Sequence, residues 1–261
     1  AEVLGYNAGE KVIYLGKTGR GTATGEEYHT VTLAGTATLG TTGPKFGLSS
    51  LTLDGTAGCN AVVPSSSDFA FGTNGFITEC WIYPETASLT GQVTILDMRA
   101  SAPDTAVRIY IDNAVVTVEV NGATVANAAA APLSAGSWYH IAYSRASNNG
   151  ALFIDGVNRG NGTDNTSYPA KAVTVGTAYD GTSGFIGKID EVMIRTDTTY
   201  SSNFTPSTGI YQGVAGIKLL LHFEREFDAT TTLDWSGAAT WTQGNEFVNS
   251  GIKFRFYDAA N

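Results

Sequence analysis

The chain has 261 residues, 43% of them hydrophobic and 15% charged, with 31 glycines, 7 prolines and a formal net charge of −9. This size and apolar content suit one large domain or one domain with an appendage, and the acidic balance excludes the basic footprint that grips nucleic-acid phosphates. No apolar run approaches the roughly 18 residues of a membrane-spanning helix; the longest, around 219–223, has the length of a strand.

The chain opens on Ala1-Glu2-Val3-Leu4, which carries neither a basic segment leading into an apolar stretch nor a cleavage pattern, so no signal peptide is expected. Apolar and polar residues then alternate with period two over 51–54, 76–83, 107–112, 115–120, 138–144, 152–155, 185–194 and 253–257, which predicts short strands. Asp54-Gly55, Asn74-Gly75, Asn121-Gly122, Asn149-Gly150, Asp155-Gly156 and Asp180-Gly181 punctuate them with residues that tolerate positive φ, as tight turns require. On 107–112, Ile109 and Ile111 are expected inward, with Arg108, Tyr110 and Asp112 lining the other face. No window of twelve residues holds a helical apolar face, and 126–131, alanine-rich but ended by Pro132, reads as a loop. Cys80 lies in a strand pattern and reads as a buried free thiol; one disulfide with Cys59 is the alternative. Many short, evenly spaced strands predict an all-β fold, an antiparallel two-sheet jelly-roll sandwich.

Four blocks resemble a known family in the same order: FGLSSLTLDG (46–55) with DFAFGTNGFITECWIYP (68–84), GSWYHIAYSR (136–145), LFIDGV (152–157) and FIGKIDEVMIR (185–195). They are similar to the laminin G-like, concanavalin A-like lectin/glucanase domains. The resemblance implies a sandwich over 29–216, a strand-rich extension over 1–28, and C-terminal strands over 217–261 that close the sandwich or mediate assembly. NFTP (203–206) followed by KLLLHFE (218–224) looks most like copies in bacteriophage virion proteins, where a similar segment opens the next copy of the module. EKVIYL (10–15) and DWSG (234–237) depart from that pattern, so the ends are where this chain is specialised.

Catalysis finds no support in the residues. The related sandwich glucanases need two carboxylates on one strand face, about 5 Å apart in retaining enzymes; no E-x-D-x-x-E pattern is present, and Asp190 and Glu191, being adjacent, are expected on opposite faces. Glu224, Glu226 and Asp228 alternate at a strand end and read as a solvated edge. There is no nucleophile elbow, zinc spacing or phosphate loop, and His29, His140 and His222 sit in strand blocks as structural histidines. No cofactor is expected, with calcium left open because some laminin G-like domains hold one ion; Asp155 and Asp180 are the candidates, then Asp97, Asp104 and Asp164.

Sugar faces stack on aromatic rings while hydroxyls pair with Asp, Asn and Arg. Arg159, Asn161, Asp164, Asn165 and Tyr168, with Tyr179 and Asp180, supply that chemistry in one loop region and are the candidate glycan contacts. Trp235 and Trp241 lie outside the matched blocks, as core, interface or platform. Lys253, Arg255 and Tyr257, on an alternating last segment, are the candidate assembly contacts. The resemblance implies a non-enzymatic virion surface protein, a tail fibre or capsid decoration, with other virion chains, further copies of itself and host-surface glycans as partners. A decoration or spacer without a sugar site, or a free-standing extracellular lectin, is the alternative.

Overall fold

The strands follow one another in chain order as β1 (Val3–Asn7), β2 (Val12–Leu15), β3 (His29–Ala34), β4 (Thr38–Gly40), β5 (Ser50–Asp54), β6 (Asn60–Ser66), β7 (Phe76–Pro84), β8 (Gln92–Asp97), β9 (Val107–Asp112) and β10 (Val115–Val120). They continue as β11 (Ala123–Asn127), β12 (Tyr139–Ala146), β13 (Asn149–Ile154), β14 (Val157–Thr163), β15 (Lys171–Val175), β16 (Ile186–Arg195), β17 (Ile217–Leu221), β18 (Phe247–Asn249) and β19 (Ile252–Phe254). This computed structural model describes residues 29–211 and 216–224 in full, and β1, β2, β18 and β19 as backbone. The chain divides into two units, Ala1–Arg225 and Glu226–Asn261.

The first unit is the expected antiparallel two-sheet sandwich. One sheet has nine strands in the order β1-β2-β3-β6-β15-β8-β9-β10-β11; the other runs β14-β13-β12-β7-β16-β5-β4, with β17 pairing β16 as its eighth strand. The extension over 1–28 therefore adds two strands beside β3. Residues 217–221 form β17, which pairs with β16 of the sandwich. In the second unit β18 pairs with β19 in a two-stranded sheet that includes Lys253; Arg255, Tyr257, Trp235 and Trp241 lie outside the described residues.

Alternation accounts for the layers. Ile109 and Ile111 of β9 enter the shared core with Val116 and Val118 of β10 and, from the facing sheet, Ile141 and Ile154. Each such side chain contributes about 1.5–3 kcal/mol by leaving water, enough to fix the register because a one-residue slip exposes the whole row. Both cysteines are buried and free, so no disulfide contributes.

Several turns fall where expected. Asn121-Gly122 and Asp155-Gly156 are two-residue hairpins with positive φ at both positions. Three details differ. The β12–β13 turn is Ser147-Asn148, because Ala146 pairs with Asn149, so Asn149-Gly150 opens β13. Asp54-Gly55 leads β5 out of one sheet toward β6 in the other. Asn113-Ala114 makes a hairpin at φ 47° and 67° that composition did not signal, since alanine disfavours that region. Of 126–131, Ala126 and Asn127 finish β11 and the remainder is loop.

β14 lies against β11, bringing the rims of the two sheets together. A Cβ on Gly162 would stand 1.9 Å from the Val125 carbonyl oxygen, and one on Gly160 2.5 Å from that of Asn127. Only glycine permits this approach. Gly162→Ala is expected to cost about 1–3 kcal/mol of unfolding free energy, whereas Gly209→Ala, with open space around it, stays near wild type; urea unfolding of the two variants checks this, and equal midpoints would refute the close approach.

Candidate functional site

β8, β9 and β10 carry their polar residues on the face turned away from the core. Cross-strand register sets Thr94, Tyr110 and Thr117 in one row and Asp97, Arg108 and Glu119 in the next. Arg99 follows β8 and donates to both Asp97 oxygens, from Nε at 3.0 and 3.2 Å and from Nη2 to Oδ2 at 2.9 Å. Its Nη1 donates to Glu119 at 2.8 Å. The Tyr179 amide donates to Asp97 Oδ2 at 3.1 Å, and the Arg99 guanidinium lies 5.5 Å from the Tyr179 ring centroid. The Tyr179 ring is half-buried and next to exposed Asp180, whose carboxylate closes its own turn onto Thr182.

Arg108 differs from Arg99. It forms no ion pair among the described residues; Nε and Nη2 donate to Thr94 Oγ1 at 3.1 and 2.8 Å, and the guanidinium sits 4.4 Å from the Tyr110 ring centroid. Burial, then the neighbouring Arg99 charge, lowers its pKa. Its Nη1 has no acceptor among the described residues, and Arg108 and Tyr110 are both buried, each 7% exposed. The period-two pattern placed Arg108 and Tyr110 on this face; Arg99 and Glu119 join them only through folding.

The seven candidate glycan contacts separate. Arg159 and Asn161 are exposed on β14, the edge strand of the other sheet, and Asn165 is exposed in the loop after it. Asn161 exchanges amide hydrogen bonds with Asn158 at 2.9 and 3.1 Å. Asp164 and Tyr168 are corrected outright: each is 2% exposed. Asp164 Oδ2 accepts from the hydroxyls of Tyr143 and Tyr168, both at 2.6 Å, and its carbonyl accepts from Arg145 Nε at 3.0 Å. Tyr168 packs edge-on to Phe76 at 5.0 Å. Burial and the neighbouring Tyr143 and Asp164 charges push the Tyr168 hydroxyl pKa far up; it is a core donor, closed to a ligand. Tyr168→Ala is expected to lose about 3–5 kcal/mol, read as a collapse of the thermal midpoint rather than as a selective loss of binding; an unchanged midpoint would refute the core role.

Asp155, on the β13–β14 turn, accepts from the His140 amide. Asp97, Asp104 and Asp164 are engaged by Arg99, Lys171 and the two tyrosines. Among the described residues no three histidine, cysteine or carboxylate side chains converge on a metal position.

The carboxylates of β16 require a second correction. A bulge between Asp190 and Met193, with Glu191 at φ 50°, resets the alternation so that Ile189, Val192 and Ile194 all reach the core. Asp190 and Glu191 thus share the outward face. Neither is open to substrate. Asp190 accepts from the amides of Lys45, Phe46 and Glu191, and Glu191 accepts from the Tyr211 amide at 2.7 Å and lies 2.8 Å from His222 Nδ1. His140 Nε2 meets the Tyr211 hydroxyl at 2.9 Å, with Glu79 Oε2 3.4 Å away. The segment 200–211 covers this network: Tyr200 and Phe204 stack at 3.7 Å against Phe153, and the Tyr200 amide donates to Ser144. Glu224, expected at a solvated edge, instead accepts from the Leu48 amide; Glu226 and Asp228 lie outside the described residues. His29 completes the structural histidines, stacked on Phe69 and 3.3 Å from Asp68.

Burial pushes the Asp190 carboxyl up to about 8, with the Glu191 charge adding and the three amide donors opposing. The unfolded value is about 3.9, so the native state holds the proton longer and stability falls as pH rises from about 4 to about 8. Urea midpoints measured at about pH 5 and about pH 8 should show this fall, and Asp190→Asn should flatten it; an equal slope in the variant would refute the assignment.

Residues 54–201 match the family described as the concanavalin A-like lectin/glucanases superfamily. No curated protein sequence matches the chain. Solved structures with a similar backbone include the binding domain of botulinum neurotoxin serotype G, at 11% identity over 68% of this chain and 44% of that one, with a TM-score of 0.48. Domains LG4–5 of the mouse laminin alpha1 chain share 15% identity over 60% of this chain and 44% of theirs, at a TM-score of 0.43. Domain 4 of AbnA, an extracellular arabinanase from Geobacillus stearothermophilus solved with arabinotriose, shares 20% identity over 64% and 81%, at 0.44. The chain spans less than half the length of the first two.

Proposed function

The chain belongs to the concanavalin A-like lectin/glucanases superfamily, and from that premise we propose that it is a non-enzymatic carbohydrate-binding module that reads glycans on the outward face of β8, β9 and β10. The observation that carries the reading is the half-buried Tyr179 ring, held by Asp97, flanked by the Arg99 guanidinium and next to exposed Asp180. A ring offers its face to sugar C–H groups and a carboxylate accepts from a hydroxyl beside it. Arg108 and Tyr110, each 7% exposed with the guanidinium against the ring, support this surface rather than form it. The non-enzymatic part is supported by the carboxylates of the other sheet: Glu79, Asp190 and Glu191 are at most 3% exposed, beneath other residues. The reading requires no cofactor.

Within this reading the module works on a virion surface, as a tail-fibre or capsid-decorating component that contacts other virion chains and a host glycan. Its support is the resemblance of NFTP (203–206) and KLLLHFE (218–224) to copies in bacteriophage virion proteins. The second of these segments forms β17, which pairs with β16.

A glycan array tests the binding. Wild type should give discrete signals, and Tyr179→Ala and Asp180→Ala should each weaken them about tenfold with the thermal midpoint retained. Signals unchanged in both variants would remove this face from consideration.

A further inference from the structure

The outward face of the eight-stranded sheet is covered around Glu79 and Glu191 but open one row further along the strands. Register defines that row. Tyr83 of β7 pairs with Lys188 of β16, Lys188 with Thr52 of β5, and Thr52 with Thr38 of β4. Trp138, preceding β12, meets Tyr83 at 5.6 Å between ring centroids. Trp138, Tyr83, Lys188 and Thr52 are half-buried and Thr38 is exposed, so the row presents a continuous surface across strands about 4.8 Å apart.

Of the four described lysines, Lys171 pairs with Asp104 and Lys218 with Asp68. The other two form no ion pair among the described residues and rest on rings: Lys188 Nζ lies 4.9 Å from the Tyr83 centroid, and Lys45 Nζ 3.7 Å from that of Trp81. Amide hydrogen bonds from Lys45 and Phe46 to Asp190 hold the segment bearing Lys45 in place, and Gly43 of the same segment faces Lys188 Nζ. Asp155 is the carboxylate whose field reaches Lys45. Trp81 Nε1 is buried in the adjoining row without a hydrogen-bond partner among the described residues.

We propose that this row is a second carbohydrate site, selective for acidic polysaccharide: the Trp138 and Tyr83 rings take sugar faces, and Lys188 and Lys45 take the carboxylates. Ammonium groups already seated over the rings disfavour a cationic ligand there. They remain free to pair with an anion, because a ring-bound ammonium keeps donors directed away from the ring. Tyr179 and Asp180 follow β15 of the other sheet, so this inference goes beyond the function proposed above and stands independently of it.

Affinity electrophoresis in polygalacturonate, with dextran as the neutral polymer, tests the site on the full chain. Wild type should be retarded by polygalacturonate and not by dextran, less so at about 0.15 M salt than at low salt. Lys188→Gln and Trp138→Ala should each weaken retardation about tenfold, with thermal midpoints confirming that both fold. A chain of net charge −9 is repelled by polyanions in general, so retardation that survives the double variant would place binding elsewhere and overturn the proposal. So would absent retardation of wild type, or equal retardation by single-stranded DNA. The two readings fail separately: array signal lost in Tyr179→Ala without any polygalacturonate binding sinks this inference alone, and retardation with a blank array sinks only the other.

Discussion

β16 is the strand on which both the core and the outward face of the eight-stranded sheet depend, and its bulge at Glu191 is the constraint that organises them. The strand pairs with β7 along one side and with β5 and then β17 along the other. Without the extra residue, strict alternation from Ile189 would carry Val192 and Ile194 out of the core. The left-handed conformation of Glu191 costs about 1–3 kcal/mol, comparable to the burial of one aliphatic side chain, and the amide and imidazole bound to its carboxylate offset that cost.

The same bulge explains why the outward face of this sheet is occupied by protein. Two adjacent carboxylates on one buried face need donors. These come from separate segments: the amides of Lys45 and Phe46 for Asp190, the Tyr211 amide and His222 for Glu191. Once those segments are docked, Glu79 and His140 lie beneath Tyr200, Phe204 and Tyr211. The row of Trp138, Tyr83 and Lys188 stays half-buried beside them. On the other sheet the charges are satisfied largely among themselves, through Arg99, Asp97 and Glu119, and Arg108 is left over.

The fold class, most strands and the inward rows were legible because the two-residue period of a half-buried strand is local. Arg108 and Tyr110 were placed on the correct face by that period alone. Tyr168 was misread for the opposite reason: a tyrosine among Asn, Ser and Thr has the composition of a binding loop, and only the return of that loop to Asp164 buries its ring. Asp190 and Glu191 were misplaced because a bulge has no local signature when the residue at positive φ is glutamate.

By itself, then, the sequence determined that this is an antiparallel β sandwich of a recognisable family, which side chains form its core, and where several hairpins turn, since alternation and turn chemistry act between near neighbours in the chain. Tertiary structure alone decided which polar groups are spent and which are free. Arg99 is neutralised by a glutamate twenty residues away and Arg108 is not; Lys218 finds Asp68 across 150 residues while Lys188 rests on Tyr83. Those differences are made by cross-strand register and by segments docking over a sheet, contacts between residues far apart in sequence that no local pattern encodes.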